Sequence, residues 1–142
     1  LLWQEIELIR TEGRHGHGQL AEKMGPVSGF ILRAKDEPSL YIMGDSVWYA
    51  EIEENLKHFS PDVAIVFAGE ARFLDGLPIT MGIADIENIT KTSPDTKLII
   101  SHMEAWNHCL LKREEVRDYI RKNQLEHKIF VPENGEVVEI GQ

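Results

Sequence analysis

Apolar positions change their spacing from segment to segment along this chain, and each spacing predicts an element. Leu2 to Arg10 alternates apolar and polar residues as a half-buried strand does, and Thr11-Glu12-Gly13-Arg14-His15-Gly16-His17-Gly18 follows as a glycine-rich loop carrying two histidines. Val27 to Ala34 and Ser39 to Met43 are β-prone runs separated by Lys35-Asp36-Glu37-Pro38, which predicts a hairpin ending at Gly44-Asp45-Ser46. Val47, Trp48, Ile52, Leu56 and Phe59 then recur at helical spacing, and Ser60-Pro61 closes that helix. Val63 to Ala68 is a continuous apolar run, as expected of a strand covered on both faces. A loop containing Asp75-Gly76-Leu77-Pro78 leads to a helix from about Thr80, its expected N-cap, to Thr92. Lys97 to His102 reads as a second buried strand and Lys112 to Gln124 as a helix. Lys128 to Val131 and Glu136 to Ile140 read as closing strands joined at Pro132-Glu133-Asn134-Gly135. A β-rich start followed by βαβα predicts one layered α/β unit, a sheet with flanking helices. Because regular structure begins with the first residues, the chain is expected to start in mid-fold.

Composition narrows the function classes. The 142 residues carry a formal charge of −9 with 42% hydrophobic residues, ordinary for a folded core. No apolar run approaches the roughly 18 residues of a membrane span, and the first residues lack the pattern of a secretion signal. One cysteine, Cys109, rules out an internal disulfide, so a reducing cytoplasm is the expected setting. The acidic balance, with no basic stripe interleaved with aromatics, disfavours nucleic acid as a partner.

Three polar residues stand where predicted strands end: His15, Asp45 and His102. Imidazole nitrogen and carboxylate oxygen suit Zn²⁺, Mn²⁺ or Fe²⁺, and the three converge if their strands are neighbours. Each also has a plainer reading. His15 and His17 fit an exposed loop, Asp45 fits the N-cap of the following helix, and His102 fits a polar residue closing a buried strand.

Taken in order, these residues and their surroundings resemble a known family. The segments are Thr11-Glu12-Gly13-Arg14-His15-Gly16, Gly25-Pro26-Val27-Ser28-Gly29-Phe30, Leu40-Tyr41-Ile42-Met43-Gly44-Asp45-Ser46, Pro61-Asp62-Val63 with Ala68-Gly69, Pro78-Ile79-Thr80-Met81, and Ser101-His102-Met103-Glu104-Ala105-Trp106-Asn107-His108-Cys109. The set resembles the C-terminal half of the αββα-type metallo-β-lactamase fold, nearest to the metal-dependent hydrolases related to ascorbate-6-phosphate lactonases. The resemblance makes His15 a ligand of a first metal, Asp45 the carboxylate bridging two metals and His102 a ligand of the second. It implies one or two divalent ions, Zn²⁺ or Mn²⁺, activating water against an ester, lactone or phosphoester of a small molecule. Glu104, Asn107 and His108 would border the active site as substrate contacts or as groups that orient the ligands, although Glu104 and Asn107 equally suit a turn or cap before Lys112 to Gln124. His17 falls at a variable position and is expected to face solvent or support a ligand. Trp48 is expected in the core or a pocket wall, Trp106 at an interface, and Cys109 as a buried small residue.

The family's His-x-His-x-Asp-His cluster is absent from this sequence. Three of about seven ligands remain for a two-metal site, so the resemblance implies a missing N-terminal half, or a homo-oligomer partner, beside a sheet face left bare. Two other readings compete with an incomplete hydrolase. One is a non-catalytic module that dimerises through that face, and the other is a small Rossmann-like ligand-binding domain. The Gly13 to Gly18 spacing supports the latter weakly, and the residues after it do not predict a helix.

Overall fold

In the computed structural model, residues 1–74, 76–104 and 106–140 are described; Asp75 of the predicted loop and Ala105 of the histidine-rich motif lie outside them. Seven strands form one sheet in sequence order: β1 (Leu2–Trp3), β2 (Ile6–Gly13), β3 (Val27–Arg33), β4 (Leu40–Ile42), β5 (Val63–Phe67), β6 (Lys97–Ser101) and β7 (Ile129–Phe130). Pairing is antiparallel from β1 to β4 and parallel from β4 to β7. The parallel crossovers contain α2 (Ala50–Phe59), α3 (Ile83–Thr92) and α4 (Arg113–Asn123), while α1 (Gly18–Met24) lies between β2 and β3.

Register explains the layers. Ile9, Ile31, Tyr41, Ala64, Leu98 and Ile129 are successive partners across six strands, and partners in register point to one face. That row packs with Ile52 and Leu56 of α2, Ile86 and Ile89 of α3, and Val116 and Ile120 of α4 in one buried cluster. At about 25 cal/mol per Å² of apolar area, this burial is the main force holding helices to sheet. The neighbouring row, Phe30, Ile42, Ile65, Ile99 and Phe130, points the other way across five strands. Phe30 is 40% exposed, and the other four are only half-buried.

Several expectations are corrected. The first strand is broken at Gln4 and Glu5, whose φ of 46° and 68° make the two-residue turn of a tight hairpin between β1 and β2. The segment after Gly18 is helical after all; α1 is too short to show a full period, and it packs Leu20 and Met24 on a small cluster of Ala71, Ile79 and Cys109. Helix α2 begins at Ala50, because Val47 and Trp48 are committed to packing before the chain turns. Thr80 does not cap α3: its buried hydroxyl accepts the Ala71 N–H at 2.9 Å, and the Asp85 carboxylate accepts the Gly82 N–H at 3.0 Å instead. Glu136 to Ile140 forms no strand, and Val137 is 83% exposed. The antiparallel start, with the long helices all on one face, excludes the doubly wound Rossmann arrangement.

Candidate metal centre

Strands β2, β4, β5 and β6 run in the same direction, so their C-terminal ends share one edge of the sheet, where open α/β sheets place their ligands. The loops there carry His15, Asp45 and His102. Two hydrogen bonds fasten the first loop to the second: the Arg14 N–H donates to Ser46 Oγ at 3.0 Å and the Val47 N–H to Arg14 O at 2.8 Å. Ser46 is fully buried and its own hydroxyl donates a hydrogen bond to Val47 O at 2.9 Å. Sequence reasoning missed this role, since a serine after Gly-Asp reads as part of a turn.

His15 is held by its Nδ1, 2.8 Å from Ile79 O. A carbonyl only accepts, so Nδ1 carries the proton and Nε2 keeps a lone pair, the tautomer a metal ligand needs. His102, at φ 57°, turns out of β6 with its ring edge against Phe67 at 5.1 Å. Its Nε2 stands 3.3 Å from Asp45 Oδ1, yet that buried oxygen has no hydrogen-bond partner. The pair is close without the alignment of a hydrogen bond. Asp45 does not cap α2 either, because Tyr49 holds the N-cap position. Gly44 makes the approach possible: at φ 68°, a Cβ there would fall 2.5 Å from Ser28 O.

A buried carboxylate oxygen without a proton donor is costly, and a cation would relieve that cost. The donor set of Asp45 Oδ1 and His102 Nε2, with His15 Nε2 on the adjoining loop, fits a divalent metal in chemical type. Among the described residues, however, no group of three or more His, Cys, Asp or Glu side chains is gathered closely enough to hold one. The structure thus joins Asp45 to His102 and leaves His15 beside them, short of a complete site.

The remaining candidates divide. Glu104 directs both oxygens at Arg113, accepting its backbone N–H at 3.2 Å and Nη1 at 2.5 Å, which is the capping role for α4. Asn107 is exposed. His108 stacks between Phe73 and Trp106. Cys109 is buried as expected. His17 is exposed at the N-cap of α1 and, with Trp48, Glu70, Pro78 and Asp85, lines a cavity of about 190 Å³. Burial, with Glu70 nearby, raises the Asp85 carboxyl above the usual carboxylate range, while the Gly82 N–H and His17 pull it down. Burial pushes the Tyr49 phenol up to about 12, although the Arg14 guanidinium lies 4.3 Å from its ring centre.

Comparison with known proteins defines the class. No family model matches the chain. It is 38% identical over 136 residues, 95% of its length, to the UPF0173 protein YddR of Bacillus subtilis (strain 168), and covers 54% of that protein. Among solved structures it superposes on a possible metal-dependent hydrolase from Veillonella parvula with a TM-score of 0.91 and 37% identity, covering 96% of this chain and 55% of that one. An isothiocyanate hydrolase from Delia radicum gut bacteria gives 0.90 and 32%, with coverages of 96% and 54%. The metallo-β-lactamase fold protein YhfI of Bacillus subtilis shares the fold at 0.66 and 13% identity, covering 98% and 52%. The chain therefore has an α/β metallo-β-lactamase fold and resembles metal-dependent hydrolases. It spans about half the length of the relatives it matches, as a C-terminal half would.

Proposed function

We propose that this chain is the C-terminal part of a metal-dependent hydrolase acting on a small-molecule ester, lactone or phosphoester. The shielded, unpartnered Asp45 Oδ1 facing His102 Nε2 carries the reading, because a cation there would satisfy that oxygen and would supply the metal that the related metal-dependent hydrolases are named for. His15, Asp45 and His102 would hold one or two divalent ions, Zn²⁺ or Mn²⁺. Such an ion, when bound, lowers the pKa of water towards neutrality and polarises the bond under attack.

This chain's own residues do the positioning. The Ile79 carbonyl fixes the His15 tautomer, the Arg14–Ser46–Val47 bonds set the Asp45 loop against the His15 loop, and Phe67 supports the His102 ring. The remaining ligands come from a preceding segment that packs on the Phe30–Ile42–Ile65–Ile99–Phe130 row; the doubled length of the relatives supports this. The isothiocyanate hydrolase among the relatives extends the substrate class to an electrophilic carbon outside carboxylic and phosphoric esters. A lone buried cysteine suits a cytoplasmic setting.

Metal analysis of the full-length protein tests the proposal. Bound Zn²⁺ or Mn²⁺ is expected, with Asp45→Ala losing at least one equivalent together with ester or phosphodiester hydrolysis. Unchanged stoichiometry in Asp45→Ala rejects the bridging role. The same apolar row also favours a non-catalytic module that dimerises, and a metal-free protein that neither Zn²⁺ nor Mn²⁺ stabilises would decide for it.

A further inference from the structure

The chain leaves β6 through two residues in the left-handed region, His102 and Glu104, each at φ 57°. A residue other than glycine keeps that conformation only where its surroundings hold it. Towards the core the hold is packing: Met103 between them is buried in the helix-covered cluster, and a Cβ on Gly69 would lie 2.5 Å from His102 O. Towards solvent the hold is Arg113, the first residue of α4.

All three guanidinium nitrogens of Arg113 are engaged. Nε donates to Pro132 O at 3.1 Å, Nη2 to Asn134 Oδ1 at 2.9 Å and Nη1 to Glu104 Oε2 at 2.5 Å, while the backbone N–H donates to Glu104 Oε1 at 3.2 Å. A helix cap needs only the last of these bonds. The bond to the second oxygen adds nothing to the cap; it fixes the carboxylate in the plane of a guanidinium that Pro132 and Asn134 already orient. The Arg113 side chain is 15% exposed, so this pair is better shielded than a surface ion pair. Only Met103 separates Glu104 from His102, whose Nε2 stands 3.3 Å from Asp45 Oδ1. Arg117, one turn further along α4, offers a contrast: it donates to Val131 O at 2.9 Å and Glu133 Oε1 at 2.6 Å, and so ties the helix to the same C-terminal turn without the link to Glu104.

We propose that Arg113, acting through Glu104, is a positioning residue that holds the loop after β6 so that the His102 ring is presented to a metal. This rests on the hydrolase reading above. Groups that orient a metal ligand are worth about tenfold or more in metal affinity, which sets the size of the expected effect.

The test uses the full-length protein and two readouts, the NMR contact between the His102 and Phe67 rings in the metal-free form and the affinity for Zn²⁺. Glu104→Ala is expected to lose the ring contact and to weaken Zn²⁺ binding about tenfold, while Glu104→Gln, which keeps an oxygen for Arg113, retains most of both. Arg113→Lys keeps the charge but not the planar fork, so it should move both readouts in the same direction, and it decides the matter if Glu104→Ala does not fold. Arg117→Ala is expected to lower the urea midpoint and leave the ring contact and the affinity as they are. A ring contact and an affinity unchanged in Glu104→Ala, or lost to the same extent in Arg117→Ala, would overturn the proposal. If the parent protein binds no Zn²⁺ or Mn²⁺, the hydrolase reading falls and the ring contact alone decides: its loss in Glu104→Ala but not in Arg117→Ala supports positioning of His102, and its survival in both rejects it.

Discussion

Asp45 Oδ1 is itself shielded and stands without a proton donor, while the rest of the side chain, 38% exposed, reaches solvent, so the cost is at most the roughly 1–3 kcal/mol of an unsatisfied buried acceptor. A residue kept there for binding a cation should trade stability for that function. In metal-free protein, Asp45→Asn is therefore expected to leave the urea midpoint unchanged or raise it, while weakening Zn²⁺ affinity by at least about tenfold. A large loss of metal-free stability would mean that the carboxylate is structural. Asp85 provides the pH test. Its folded-state pKa lies above the unfolded value, so its contribution to stability is fully present below the unfolded pKa of about 4 and is lost as pH rises through the folded pKa. Asp85→Asn keeps an acceptor for the Gly82 N–H and removes the desolvated charge. Thermal melts should show the variant gaining on the parent as pH rises through that window, with the difference constant below it. A difference that does not vary with pH would rule out desolvation as the cause.

At the level of elements, the long periodic segments were legible and the short connections were not. The burial of Ile52 and Leu56 in α2 and of Val116 and Ile120 in α4 was written in a 3.6-residue spacing, and the apolar runs of β5 and β6 were equally plain. Helix α1 has seven residues and none of them is buried, so it left no such pattern. Thr80 looked like a cap because a threonine before an apolar run usually is one; its hydroxyl was already engaged by Ala71, a partner no local reading could supply. Asp45 and His102 were legible as strand-end residues, whereas their 3.3 Å approach depends on the parallel pairing of β4, β5 and β6. Two substitutions probe these connections. Lys128 is buried, and its ammonium donates to Thr90 O, Ser93 O and Pro94 O at 3.4, 3.2 and 2.6 Å, closing the end of α3. Lys128→Met strands those carbonyls and is expected to cost about 1–3 kcal/mol in denaturant unfolding, against no measurable cost if water replaces the ammonium. Gly44→Ala forces a Cβ to 2.5 Å from Ser28 O at a φ of 68°, so it should both lower the midpoint and displace Asp45, detected as weakened metal binding. Normal affinity in a folded Gly44→Ala protein would show that the turn does not position the carboxylate.

For the whole molecule, the decisive feature is the inequality of the two sheet faces. The row containing Ile31, Tyr41, Ala64 and Leu98 is covered by α2, α3 and α4, while Phe30, Ile42, Ile65, Ile99 and Phe130 form an equally continuous apolar row on the other side. Phe30 is 40% exposed and the other four are only half-buried, and sheets packed face to face bury such rows about 10 Å apart. Under the proposal above, a preceding segment packed on this row would also reach the edge where Asp45 and His102 meet, so metal binding and burial of the row should be lost together. Lysine in place of Ile65 and Ile99 separates this from a purely local site. The double variant of this chain alone is expected to stay folded, because both side chains lie away from the helix-facing core, and to bind less of a hydrophobic dye. In the full-length protein the same pair should abolish metal retention and lower stability together, since two charges would then be buried between sheets. If the full-length double variant keeps its metal and its melting temperature, the row is not where the proposed preceding segment packs, and that part of the proposal fails.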